Sequence, residues 1–226
     1  MTDNPSYYEQ HLPAPLPKQV QSGLIKELTF QHMIQLHGWC SFEKASFLID
    51  LLLKTKPKTV LEIGVWGGKS LIPMAQALKE NGEGIIYGID PWSSQESVQW
   101  VMEAVNRHFW EYADHQLVFN HLNEKIAQFQ LQNQIRLIRT TSEMAPPIFD
   151  IDVLHIDGNH SDYTSYLDVT KWVPFVRSGG WIIFDDMRWF ENGVYTNSRA
   201  CEWLDANCHK LAEFNDICTW GVWIKP

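Results

Sequence analysis

The chain has 226 residues, with 18 Lys and Arg against 27 Asp and Glu, a net charge of −9, and 45% of it is apolar. That balance excludes a disordered chain and argues against a protein that grips nucleic acid through its phosphates, which would want a basic surface. No apolar run reaches the ~18 residues of a membrane span, and no basic-then-apolar stretch marks a leader. The expectation is a cytoplasmic protein with neither a nucleic-acid nor a membrane partner. Cys40, Cys201, Cys208 and Cys218 include no CxxC pair and read as free thiols.

Residues 1–22, with Pro13, Pro15 and Pro17 alternating, are expected to form an extended arm before a single domain over 23–226. A helix follows over 41–54: Ser41 can cap it, Glu43 suits its first turn, and Ala45, Leu48, Leu51 and Leu52 share a face. Short apolar strands then alternate with helices. Strands are expected at 59–63, 84–89, 135–139, 151–156 and 181–184, with helices at 70–80 and 161–176. A helix over 196–207 and two strands near 211–215 and 218–224 close the chain. This is the pattern of an α/β, doubly wound parallel sheet covered on both faces.

One connection is oversized. Residues 91–134 place 44 residues between the second and third strands, and their patterning suggests a helical insertion. It is rich in aromatic residues, including Trp92, Trp100, Phe109 and Trp110. Extra core under a helical layer and a substrate lid are both open readings. So is a subunit interface, which keeps a homo-oligomer open.

Chemistry gathers at the strand ends. The first strand runs into Glu62-Ile63-Gly64-Val65-Trp66-Gly67-Gly68-Lys69-Ser70. A phosphate-binding P-loop needs four residues between its first Gly and GK[ST], and this loop has three; a dinucleotide fingerprint needs GxGxxG, which is absent. An acidic residue followed by GxxGG suits S-adenosylmethionine, with Glu62 able to meet its ammonium directly or through water. A tight turn without a ligand is the plainer alternative. Asp90 ends the second strand, 26 residues after Gly64, where a carboxylate can accept both ribose hydroxyls. Ser142 follows the third strand, either at an adenine edge or as a helix cap.

The fourth strand ends in His155-Ile156-Asp157-Gly158-Asn159-His160 and the fifth in Phe184-Asp185-Asp186. If the two strands are neighbours, about 4.8 Å apart, their carboxylates converge. Asp157, Asp185 and Asp186 would then repel unless protonated or bridged by a hard divalent cation, Mg²⁺ or Mn²⁺. His160 could take a proton from a substrate hydroxyl on that metal. His155, inside its strand, reads as structural.

Together, VLEIGVWGGKS (60–70), YGIDPW (87–92), LHIDGNHSDY (154–163) and GGWIIFDD (179–186) resemble class I S-adenosylmethionine-dependent methyltransferases. More narrowly, they resemble the metal-dependent small-molecule O-methyltransferase group that includes macrolide-sugar methyltransferases. The resemblance implies a Rossmann-like seven-stranded sheet, mostly parallel with an antiparallel last strand. It implies a cofactor set of Glu62, Gly64, Gly67, Ser70, Asp90, Trp92, Ser142 and Asp157. It also implies a metal set of Asp157, Asp185 and Asp186, and His160 and Asp157 as catalytic residues. Some related enzymes carry a carboxylate where this chain has Asn159, which moves the expected base to His160. The expected reaction is methyl transfer to a hydroxyl of a small-molecule acceptor. The alternatives are a metal-dependent hydroxylase-like enzyme on the same fold and a non-catalytic S-adenosylmethionine-binding protein.

Overall fold

The computed structural model describes residues 18–99 and 101–226. The alternating prolines of the expected arm lie outside them. From Lys18 the chain is helical (α1, Lys18–Met33), so the last residues of the stretch expected to be extended begin a helix instead. Ile25 and Met33 of α1 are buried, and the helix packs on α2 (Phe42–Thr55) and α3 (Leu71–Asn81). α2 begins where its cap was expected: Ser41 Oγ accepts the Lys44 N–H at 2.9 Å.

Seven strands form the main sheet. These are β1 (Thr59–Ile63), β2 (Ile85–Asp90), β3 (Ile135–Arg139), β4 (Ile151–Ile156), β5 (Val176–Phe184), β8 (His209–Asn215) and β9 (Thr219–Ile224). Their order is β3-β2-β1-β4-β5-β9-β8. β1 to β5 pair in parallel, and β9 runs antiparallel to both β5 and β8. This is the doubly wound Rossmann-like sheet with an antiparallel last strand. Alternation along each strand feeds two cores. Val60, Ile86 and Val153 face α1–α3, while Leu61, Ile63, Leu154 and Ile182 face α7 (Asp162–Trp172) and α8 (Ser198–Asn207). Among the described residues, no helix is long and apolar enough to cross a membrane. All four cysteines are free thiols.

The insertion forms α4 (Ser94–Ser97), α5 (Ala104–Tyr112) and α6 (His115–Gln128). Its helices divide the work. α6 sends Val118, Leu122 and Ile126 into the core, whereas α5 buries no side chain and stands beside the sheet edge. β5 starts at Val176, earlier than its apolar residues suggest. Gly179 N–H donates to the Lys225 carbonyl at 2.9 Å, and Lys225 N–H to Gly180 at 3.0 Å, so pairing beyond β9 completes a strand whose sequence is polar there. A short hairpin of β6 (Phe190–Glu191) and β7 (Val194–Tyr195) had no sequence signal.

Candidate active site

The carboxyl ends of β1, β2, β4 and β5 meet beneath a cavity of about 570 Å³, within the size range of small-molecule sites. Gly64 makes the meeting possible. At φ +82° a Cβ there would lie 1.9 Å from the Asp157 carbonyl oxygen, so β1 and β4 touch through bare backbone. Gly67 serves a different contact: its Cβ would fall 2.4 Å from the His37 carbonyl oxygen, on the α1–α2 connection and away from the cavity.

Asp90 organises the loop above. Its Oδ2 accepts the N–H groups of Val65 (3.0 Å) and Trp66 (2.9 Å), and its Oδ1 accepts that of Trp92 (2.7 Å). Trp66 and Trp92 stand at φ +48° and +43°, a costly conformation for bulky side chains. The three charge-assisted bonds offset that cost. Burial raises the Asp90 carboxyl above its ordinary range, and the same three donors pull it back. Trp92 itself is buried, with its indole N–H donating to the Trp66 carbonyl at 2.9 Å; it braces the loop and does not line the cavity.

Of the residues expected around the cofactor, Gly64, Asp90, Ser142 and Asp157 line the cavity. Glu62, Gly67, Ser70 and Trp92 do not. Glu62 is fully buried beneath the loop, where its Oε1 accepts from Ser70 Oγ (2.5 Å) and faces His155 Nδ1 (2.9 Å). Glu62 therefore lies in the floor beneath the cavity rather than on its wall, and burial pushes its carboxyl up to about 8. Its Oε2 has no hydrogen-bond partner among the described residues. Ser142 sits in a loop that Lys171 holds through the carbonyls of Ser142 (2.7 Å), Glu143 (2.6 Å) and Ala145 (3.2 Å).

β4 and β5 are neighbours, with Ile156 opposite Phe184, so the expected convergence occurs. The three carboxylates nevertheless do not all face the cavity. Asp157 and Asp186 face the cavity, but Asp185 is only 2% exposed and turns away from it. Its Oδ2 is bonded to the ammonium of Lys44, itself 1% exposed, and the Cys218 thiol approaches its Oδ1 at 3.7 Å. A three-carboxylate set for Mg²⁺ or Mn²⁺ does not fit this arrangement, because one carboxylate is already neutralised by a buried cation that would repel a second one. Two groups bring ligand atoms within 4.8 Å of one another, His155, Asp157 and Asp185 on one side and Asp157, His160 and Asp186 on the other, but each offers two oxygens and a nitrogen to ions that prefer oxygen, and Asp185 of the first is bonded to Lys44.

His160 lines the cavity, stacked on Trp189 with ring centroids 4.9 Å apart. Its Nε2 lies 3.3 Å from Asp186 Oδ2 and its Nδ1 3.4 Å from the Asn197 amide nitrogen. Both ring nitrogens thus face partners. Burial lowers its pKa, against the opposing pull of Asp186. Asp157 moves the other way: burial pushes its carboxyl up to about 7, eased by Lys44 and reinforced by Asp186.

Lys44 and Trp39 have no counterpart in the motifs, whereas Trp66 lies in the glycine turn and Phe109 and Trp110 in the insertion, one reading of which is a lid. Lys44 carried a signal: it precedes Leu48 by four residues and Leu51 by seven, on the buried stripe of α2. Trp39, Trp66, Phe109 and Trp110 wall the cavity, meeting edge to face with centroids 5.0–6.2 Å apart. They come from three separate segments, which no local pattern links.

A family model described as a methyltransferase domain matches residues 61–187, more than half of the chain. The chain is 26% identical over 199 residues to tapetum-specific methyltransferase 1 of Arabidopsis thaliana, covering 86% of this chain and 76% of that protein. It is 27% identical over 187 residues to a protein named as a caffeoyl-CoA O-methyltransferase of the same plant, covering 78% and 71%. The solved O-methyltransferase NovP superposes with a TM-score of 0.67 at 15% identity, over 92% of this chain and 99% of that one. An O-methyltransferase from Bacillus cereus in complex with SAH superposes at 0.62 and 14% identity, over 96% of each chain. At these identities the solved structures share the fold. With the sheet order, the glycine turn and the family match in agreement, the chain belongs to the methyltransferase-domain family and is a class I, S-adenosylmethionine-dependent methyltransferase.

Proposed function

We propose that this protein transfers the methyl group of S-adenosylmethionine to a hydroxyl oxygen of a small molecule, with Asp157 taking the hydroxyl proton. The observation that carries the reading is the sharing of one cavity by Asp90, Gly64 and Ser142 on one side and Asp157, His160 and Asp186 on the other. S-adenosylmethionine supplies an electrophilic methyl on sulfur. Asp90 Oδ1 accepts one backbone N–H, which leaves it capacity for a ribose hydroxyl. Gly64 lets the loop backbone approach the ligand, and the Ser142 loop, tied down by Lys171, forms the wall beside it.

The proton-acceptor role moves from His160 to Asp157. A base is most effective when its pKa lies near the working pH, and Asp157 at about 7 meets that condition. His160, placed between Asp186 and Asn197, instead fixes the Asp186 side of the site. The carboxylate set expected for Mg²⁺ or Mn²⁺ is interrupted by Lys44 on Asp185, so Asp157 acts on the hydroxyl directly. The hydroxylase-like alternative would call for a redox metal on several imidazoles, and His160 is the one imidazole on the cavity wall among the described residues.

The test is transfer of an isotope-labelled methyl group from S-adenosylmethionine to a panel of hydroxylated small molecules, read by mass spectrometry. A labelled methyl ether is expected from the native protein. Asp157→Asn should lose turnover while still binding SAH by calorimetry. Failure of the native protein to bind either S-adenosylmethionine or SAH would sink the reading, as would undiminished turnover in Asp157→Asn.

A further inference from the structure

Lys44 is a full charge in a place where charge is expensive. Its side chain and that of Asp185 are 1% and 2% exposed, so this pair is not a surface ornament. It is also firmly placed. Ser41, the cap of α2, donates its hydroxyl to Asp216 Oδ2 at 2.6 Å, and the Trp220 indole N–H reaches the same oxygen at 3.3 Å. These contacts pin the first turn of α2, with Lys44 in it, to the β8–β9 turn. The Trp220 ring stands 5.9 Å from the Lys44 nitrogen and helps close the pocket to water.

Around this ammonium lie the acidic ends of three neighbouring strands. Asp185 follows β5 and is bonded to it. Asp157 follows β4, with a ligand atom within 4.8 Å of those of Asp185 and His155, and Glu62 lies in β1 against His155. His155, between Glu62 and Asp185 at 2.9 and 3.4 Å, is held neutral by burial and by Lys44, so it adds no second cation. Lys44 is thus the sole buried cation among the described residues at a point where the sheet gathers three carboxylates.

We infer that Lys44 is the built-in cation of this active site: its ammonium stands in for a divalent ion by holding Asp185 beside Asp157, so that methyl transfer here needs no metal. The inference rests on the methyl-transfer reading for its catalytic part and on the Lys44–Asp185 geometry for the rest. Lys44 does not line the cavity; it is a positioning residue that acts through Asp185. Removing its charge while keeping its bulk should convert the pocket into one that needs, and binds, a divalent cation.

The test uses the full chain and Mn²⁺, followed by electron paramagnetic resonance, with SAH calorimetry on the same samples. The native protein should leave Mn²⁺ free, and chelation should change neither SAH affinity nor turnover. Lys44→Met should bind Mn²⁺ at least tenfold more tightly than the native protein, and adding Asp185→Asn to it should abolish that gain. Tight Mn²⁺ binding by the native protein, or loss of its turnover on chelation, would overturn the inference. So would a Lys44→Met variant that binds SAH normally yet gains no Mn²⁺ site. If Lys44→Met folds only when Mn²⁺ is supplied, that rescue supports the inference. If it does not fold at all, the native titration still decides, with Lys44→Met/Asp185→Asn as the charge-free control. Absence of SAH binding by the native protein would count against methyl transfer, while the Mn²⁺ comparison would still report on Lys44.

Discussion

Replacing Asp90 by Asn probes the loop and the cofactor wall at once. Asp90 accepts three backbone N–H groups at 2.7, 2.9 and 3.0 Å. Asn has one acceptor oxygen. Set in place of Oδ2, that oxygen keeps Val65 and Trp66 as weaker, neutral bonds, and the amide NH₂ then confronts the Trp92 N–H, donor against donor. Hydrogen bonds to a charged group are worth about 1.5–3 kcal/mol each, so one lost and two weakened would cost about 3–5 kcal/mol. Relief from burying a charge returns part of this, leaving a net loss of about 2–4 kcal/mol. For a chain of this size that lowers Tm by roughly 5–15 °C. The same variant loses the carboxylate proposed above to accept a ribose hydroxyl, which should cost about 10–100-fold in SAH affinity. Thermal unfolding and calorimetry on one preparation check both. A Tm within a degree or two of the native value, with unchanged SAH affinity, would show that the left-handed residues Trp66 and Trp92 are held by something other than Asp90.

The cavity wall carries Asp90, Glu96, Glu143, Asp157, Asp168 and Asp186 and, among the described residues, no Lys or Arg. Arg107, next to the lining residue Asn106, is turned onto the Gln99 carbonyl at 3.0 Å. Neutral or cationic phenols should therefore be methylated in preference to a phenolic CoA thioester, and a CoA ester winning a direct competition would refute this. Phe109→Ala, on a helix with no buried side chain, should leave Tm and SAH affinity nearly unchanged while raising the acceptor KM several-fold. Burial raises Glu62 to about 8 and both Asp157 and Asp168 to about 7, so the folded state keeps protons that the unfolded chain has released. Their contribution to stability is full below about pH 4 and is lost as pH rises through about 7–8. Urea midpoints should fall between about pH 5 and pH 8, and Asp168→Asn should flatten that fall; a midpoint that rises over this range would reverse the sign.

The strands and most helices of the α/β domain were legible because each announces itself locally. TVLEI, GIIYGI and IDVLHI are short apolar runs with turn residues behind them, and Ser41 begins α2 as a cap should. The β6–β7 hairpin and the first residues of β5 were not legible, since their hydrogen bonds come from partners distant in sequence. The insertion was ambiguous for a related reason. Its aromatic residues do not say which face meets the sheet, and the fold assigns α6 to the core and α5 to the cavity.

The same division holds at the site. By itself, the sequence determined the chemistry present at each strand end: the glycine turn, Asp90, and the carboxylates after β4 and β5. Those follow from residue type and local spacing, which short-range sterics and hydrogen bonding translate directly into structure. Only the tertiary structure decided which of these groups share a cavity. Glu62 and Asp185 are carboxyl residues like Asp90 and Asp157, yet they are buried against His155 and Lys44 rather than lining the cavity. That choice depends on where α2 docks, 141 positions from Asp185 along the chain. A charge finds its partner through packing and desolvation across such distances, and no spacing rule along one segment contains it.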